Sequence, residues 1–216
     1  MQKTRYFEKI DSEGNYTKFP GVTVVAAIRT QDFDLWKEIY NEVSKCTVTK
    51  EHYSLLPWES YHMTTNNLHC HRDYSVSEWH TFIEKNLPVF QKIHALTIEK
   101  TFNPEITIDK LYTCDRVIYL ELKLLEDHHS IVKSVAQSVN TEDKIPPEFH
   151  ITLGYAYKPV DDATLEVICQ ELKTNLTCFG KTYTLDPPKI CHFDDMTAFI
   201  PYDFQKSPFI TNNNSQ

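Results

Sequence analysis

The sequence predicts one α+β domain built from two related lobes. Two observations carry this. Strand-like and helix-like hydrophobic patterns alternate along the chain with no linker-like stretch between them. A strand–helix–loop–strand unit also occurs twice, ending each time in a His-apolar-Thr triplet. At 216 residues, 41% hydrophobic and 24% charged, the chain can bury one sizeable core and is too ordinary in composition for disorder or a collagen-like repeat.

The elements follow in order. Phe19-Pro-Gly-Val-Thr-Val-Val-Ala-Ala-Ile28 is rich in β-branched residues behind a Pro-Gly turn signal and reads as a buried strand. Its apolar run is far too short to span a bilayer. Over Asp32–Val43, Leu35, Ile39 and Val43 recur four apart behind a candidate Asp cap, which predicts a helix. Short strands are expected at Tyr53–Leu56 and Tyr61–Asn67, then a helical pattern over Val76–Ile93 interrupted at Pro88. Strands are expected at Leu96–Thr101, Ile106–Tyr112 and Val117–Leu124, followed by a helix at Asp127–Val139. A strand at Phe149–Tyr157 and a helix at Asp161–Leu176 precede short strands that turn at Asp186-Pro-Pro. We assign an N-terminal extension to residues 1–18, the domain to 19–204 and a polar tail to 205–216.

Charge and cysteine usage narrow the function. A net charge of −8 disfavours a binder of long duplex nucleic acid, which needs clustered Lys and Arg, but leaves room for a small nucleotide held by local groups. The charged N-terminus has no apolar stretch of the secretory kind, and no membrane association is expected. The six cysteines are scattered without a C-x-x-C pair and read as reduced thiols. A monomeric cytoplasmic protein is the expectation.

The repeat is the most informative feature. Pro57-Trp-Glu59-Ser-Tyr61-His62-Met63-Thr64 resembles Pro147-Glu148-Phe149-His150-Ile151-Thr152, and both triplets fall on expected strands, as in two lobes facing each other across a pseudo-twofold axis. Ten histidines, each followed by an apolar residue at 41% and a threonine at roughly 10%, give about 0.4 chance matches, so two are uncommon. Side chains alternate across a strand, so His62, Thr64 and Asn66 are expected on one face, and His150, Thr152 and Gly154 on the matching one. There Gly154 would leave room for a ligand.

Two imidazoles and two hydroxyls in one small volume suit cleavage of a phosphodiester. A neutral His takes a proton from the attacking oxygen and a protonated His gives one to the leaving oxygen. The hydroxyls donate to the non-bridging oxygens as charge builds. The residues do not say which His is which.

These motifs resemble the paired His-x-Thr/Ser signatures of the two-histidine (2H) phosphoesterase superfamily, which includes LigT-like cyclic phosphodiesterases. The resemblance runs from Phe19 to about Ile200, and Phe19-Pro-Gly-Val-Thr-Val-Val with Ser60-Tyr-His-Met-Thr64 resembles an uncharacterised branch of it. It implies a bilobal sandwich of mostly antiparallel sheets with outer helices and a central cleft. The implied activity is metal-independent cleavage of 2′,3′-cyclic phosphates or 2′-5′ phosphodiester bonds. Substrates would be small nucleotides or RNA ends, among them 2′-5′ oligoadenylates and cyclic dinucleotides. His62 and His150 would be the acid/base pair and Thr64 and Thr152 the phosphate donors, with no cofactor. Thr65-Asn66-Asn67 departs from the apolar residue that many members carry after the Thr.

Other readings compete. The same cleft in a binding module would hold a nucleotide such as AMP without turnover. His69-Cys70-His71 with Cys191-His192 invites a metal-dependent hydrolase, but alternation splits the first cluster and no pair at standard spacing completes a site. Alternation places Tyr61, Phe149, Tyr155 and Tyr157 on the face away from the histidines, whereas Tyr202 remains a candidate substrate contact. His128-His129 sits at a helix start and reads as solvated.

Overall fold

A computed structural model describes residues 8–70 and 75–206. Nine strands form one curled, wholly antiparallel sheet. They are β1 (Gly21–Ala27), β2 (Tyr53–Leu55), β3 (His62–Cys70), β4 (Glu105–Thr113), β5 (Val117–Leu124), β6 (Phe149–Ala156), β7 (Thr182–Thr184), β8 (Lys189–Phe193) and β9 (Ile200–Pro201). Their order is β7-β4-β5-β6-β3-β1-β8-β9, with β2 added beside β6. The helices are α1 (Phe33–Lys45), α2 (Thr47–His52), α3 (Val76–Glu99), α4 (Glu126–Gln137) and α5 (Asp162–Asn175).

Alternation in the strands explains the layering. In β5, Ile118, Leu120 and Leu122 are buried while Val117, Tyr119 and Glu121 are only partly so. The buried face joins Met63, Ile151 and Leu153 to Trp36, Ile39 and Val43 of α1 and Ile168 and Leu172 of α5 in one core. A second core gathers Val22 and Val24 of β1 with Trp79, Ile83, Phe90 and Ile93 of α3. The helices cover this face, and the opposite face lines a cleft.

Two expectations need correction. Leu96–Thr101 is not a strand: α3 runs on to Glu99. Ile83, Phe90 and Ile93 form its buried stripe, and the helix already under way carries Thr97-Ile98 along despite their β-branched composition, with Ile98 left exposed. Pro88 sits inside this helix without ending it. The Ser75–Glu78 capping box fixes its start.

The two sequence repeats become two strand–helix–strand units whose second strands, β3 and β6, meet at the sheet centre. Their ladder is one registered pair, Met63 opposite Ile151. Among the described residues no helix is long and apolar enough to cross a membrane.

Candidate active site

The central pair sets the geometry of the site. Met63 and Ile151 point into the core, so their neighbours in each strand point the other way. Extending the antiparallel register by one residue sets His62 opposite Thr152, and Thr64 opposite His150. The two histidines lie on the diagonal, where side chains of one face have Cβ atoms about 7–8 Å apart. All four residues line one cleft of ≈ 570 Å³, a volume in the range of small-molecule sites.

Each ring is held in the same way. His62 Nδ1 lies 2.7 Å from the carbonyl of Ser60, and His150 Nδ1 lies 3.0 Å from the carbonyl of Glu148. A carbonyl only accepts, so Nδ1 carries the proton in both rings and Nε2 is left for the cleft. Each ring also leans on an aromatic: His62 on Phe199 at 3.9 Å between centroids, His150 on Tyr119 at 4.8 Å. Among the described residues, no protein hydrogen bond occupies the hydroxyl of Thr64 or Thr152.

Electrostatics separates the pair. Burial pushes His62 well below the ordinary histidine value, to about 4. The Ser60 bond opposes this shift, while the nearby charges of His150 and Lys9 add to it. His62 is therefore neutral at pH 7. The His150 hydrogen bond is exposed where that of His62 is half-buried.

Two of the remaining expected contacts, Asn66 and Gly154, fall elsewhere for one shared reason. In β3 the register shifts between Val25–Thr64 and Val24–Asn66, leaving Thr65 as an extra residue. In β6 it shifts between Tyr119–Thr152 and Ile118–Gly154, leaving Leu153 as the extra residue. Both bulges follow a His-x-Thr triplet directly, and each flips the alternation beyond it. Asn66 accordingly turns away from the cleft and is buried, its Nδ2 donating to Thr141 Oγ1 at 3.0 Å and to the Thr141 carbonyl at 3.3 Å. Gly154 faces β2 rather than a ligand: a Cβ there would lie 2.6 Å from the Ser54 carbonyl oxygen. The residues that reach the cleft instead are Asn67 and Tyr155. The expectation that Tyr155 packs away from the histidines is thus reversed, whereas Tyr61 and Phe149 are buried as expected.

Tyr202 is also corrected. It is 5% exposed and packs with Phe90 and Phe204 in the second core, not in the cleft. His128 is not simply solvated, since its Nδ1 accepts from the backbone N–H of Glu105 at 3.0 Å. His69 and Cys70 line the cleft, while His71 lies outside the described residues. Among the described residues no group of three or more His, Cys, Asp or Glu could hold a metal ion.

Two cleft residues, Lys9 and Phe199, and Tyr119 beside His150 gave no sequence signal: they come from distant segments and come near the histidines only through the fold.

Two structures of known proteins share this architecture. LigT of Escherichia coli in its apo form superposes with a TM-score of 0.54 over 87% of this chain and 96% of its own, at 12% identity. The fold is LigT-like. A conserved Agrobacterium tumefaciens protein of unknown function superposes on this chain with a TM-score of 0.57 at 18% identity, over 93% of this chain and 92% of its own. Residues 9–110 match the family model 2H-phosphodiest, a domain of unknown function (DUF1868), which spans β1 and the first His-x-Thr strand. The uncharacterised protein 127L of invertebrate iridescent virus 6 is 27% identical over 238 residues, covering 93% of this chain and 97% of the viral one.

Proposed function

We propose that the protein is a metal-independent phosphodiesterase that opens 2′,3′-cyclic phosphates or cuts 2′-5′ phosphodiester bonds of small nucleotides or RNA ends. The observation that carries this reading is the matched pair of triplets: two Nε2 atoms and two uncommitted hydroxyls on one sheet face, arranged with local twofold symmetry. The family model and the LigT-like fold support it.

His62 is the base. It is neutral, its Nδ1 proton is committed to Ser60, and its Nε2 is an acceptor facing the cleft. With a 2′,3′-cyclic phosphate, His62 Nε2 takes a proton from water as the water oxygen bonds to phosphorus. One P–O(ribose) bond breaks, and protonated His150 gives its Nε2 proton to the departing oxygen. Thr64 and Thr152 donate to the non-bridging oxygens, where charge accumulates. The product is a nucleoside monophosphate.

The test is product analysis in EDTA with 2′,3′-cyclic mononucleotides, 2′-5′ and 3′-5′ oligoadenylates and cyclic dinucleotides. Wild type is expected to cleave at least one 2′-linked member, and the His62→Ala/His150→Ala variant none. Cleavage by the double variant would sink the assignment. AMP binding without any cleavage would replace it with the nucleotide-binding reading.

A further inference from the structure

The reaction proposed above needs more positive charge than the two triplets supply. A phosphodiester gains negative charge on its non-bridging oxygens as the new bond forms, and one histidine of the pair is neutral while it acts as base. The two threonines contribute only neutral donors. The cleft contains another cation. Lys9 lines it together with both histidines.

The surroundings of Lys9 are those of a held cation. Its Nζ lies 4.7 Å from the centroid of the Tyr155 ring and 5.5 Å from that of Phe19, and it donates to Tyr155 Oη at 3.2 Å. Aromatic faces and a phenol stabilise an ammonium without neutralising it. Among the described residues no carboxylate pairs with it. Surface lysines elsewhere do find acids, as Lys110 finds Glu121 at 3.1 Å. Lys9 thus brings to the wall of the cleft a positive charge that no ion pair takes up, whereas the other cleft lysine, Lys144, pairs with Asp143 at 3.3 Å.

The backbone that carries it is also fixed. Residues 9–17 form a tight hairpin in which Ile10 pairs with Tyr16 and the Thr17 N–H donates to the Lys9 carbonyl at 3.1 Å. Asp11 closes the turn by accepting from the N–H groups of Glu13 and Asn15, each at 2.9 Å, and Gly14 takes φ +90°. Ile10 is 1% exposed, Tyr16 Oη donates to the Ser54 carbonyl at 2.9 Å, and Ser54 Oγ donates to the Gly14 carbonyl. The hairpin is therefore clamped to β2, beside the strand that bears His150. Tyr155, the partner of Lys9, is the residue that the β6 bulge turns into the cleft.

We propose that Lys9 is a third polar ligand of the substrate phosphate: its ammonium binds a non-bridging oxygen and stabilises the charge that develops there. This rests on the reading of the cleft as a phosphodiester site. It also gives the N-terminal hairpin a role in catalysis beyond packing. Lys9 reaches His62 electrostatically as well, since its charge is one of the influences that hold that ring neutral. Among the described residues, the other charged or titratable groups that line the cavities around His62 are His150, Asp143, Lys144 and Tyr155 across the cleft, His69 and Cys70 at the end of β3, Glu59 and Tyr61 before β3, and Asp186, Lys189 and Cys191 from the β8 side.

The experiment compares wild type, Lys9→Met and Lys9→Arg for cleavage of 2′,3′-cyclic AMP and, by calorimetry, for binding of AMP. Lys9→Met keeps the apolar stem and removes the charge. It is expected to lose roughly 10²-fold in kcat/KM, the size seen when one oxyanion donor is removed, and to bind AMP more weakly. The acid limb of its kcat/KM profile should move to higher pH, a change that loss of packing alone would not produce. Lys9→Arg should recover most of the rate. Equal cleavage and AMP binding by Lys9→Met and wild type would overturn the role of Lys9 and leave the two-histidine reading standing. A loss that Lys9→Arg does not recover, with the acid limb unmoved, would reduce Lys9 to a packing residue. If wild type neither cleaves nor binds, the reading of the cleft fails and the role of Lys9 falls with it.

Discussion

The two halves of the cleft are built alike and set in different surroundings. Each contributes a strand, a His-x-Thr triplet, an Nδ1 bond to the carbonyl two residues back, an aromatic neighbour and a bulge directly after the threonine. What differs is the environment of the imidazole. His62 is enclosed and held neutral, whereas the His150 bond lies in the open. In our reading, matched local geometry thus serves a base on one side and an acid on the other. The surroundings differ outside the triplets: Phe199 lies against His62 and the charge of Lys9 acts on it, while Tyr119, hydrogen-bonded to Glu148, lies against His150.

The largest expected effect breaks both halves at once. His62→Ala and His150→Ala should each lower kcat/KM by roughly 10²-fold or more. The double variant should fall well short of the product of the two losses, because acid and base act in one step. Steady-state rates on 2′,3′-cyclic AMP check this, and full multiplicativity would show that the two rings work independently.

Substitution beyond the bulges sharpens the comparison. Gly154→Ala drives a Cβ against the β2 backbone and should cost about 1–3 kcal/mol of stability in urea unfolding. Its KM should stay near wild type, since the position faces β2. A raised KM with unchanged stability would restore the ligand-facing expectation. One residue further along, at the place in β3 equivalent to Tyr155, Asn67→Ala should raise KM by roughly three- to tenfold, consistent with losing one hydrogen bond of about 1 kcal/mol. Asn66→Ala should instead lower the melting temperature by freeing Thr141, with little change in KM.

Much of this was legible in the sequence, and the exceptions share a cause. The triplets on strands, the pairing of the lobes and most helices follow from periodicities of two and 3.6 residues, which are local properties. The bulges at Thr65 and Leu153 are not local. A strand takes an extra residue because of what its neighbours pair with, and nothing in Thr65-Asn66-Asn67 announces it. One slipped residue was enough to move Asn66 and Gly154 out of the site and Tyr155 in. Tyr202 failed differently: its position after the last strands was readable, but not the α3 aromatic Phe90 that buries it. Helix α3 overran its expected end: Leu96–Glu99 carries the helix on past Ile93, its last core residue, with Ile98 left exposed.

The pH dependence of kcat/KM for 2′,3′-cyclic AMP tests the central claim most directly, because it reports the ionisations of the free enzyme. His62 must be neutral to act as base. The folded ring loses its proton at about 4 and an ordinary histidine at 6.5, so activity should persist as the pH falls through 6.5 and decline only near 4. Replacing His62 by Ala should remove that acid limb together with the rate. An acid limb centred at 6.5 or above, or one that survives in His62→Ala, would contradict the assignment of His62 as the buried base of a two-histidine phosphodiesterase.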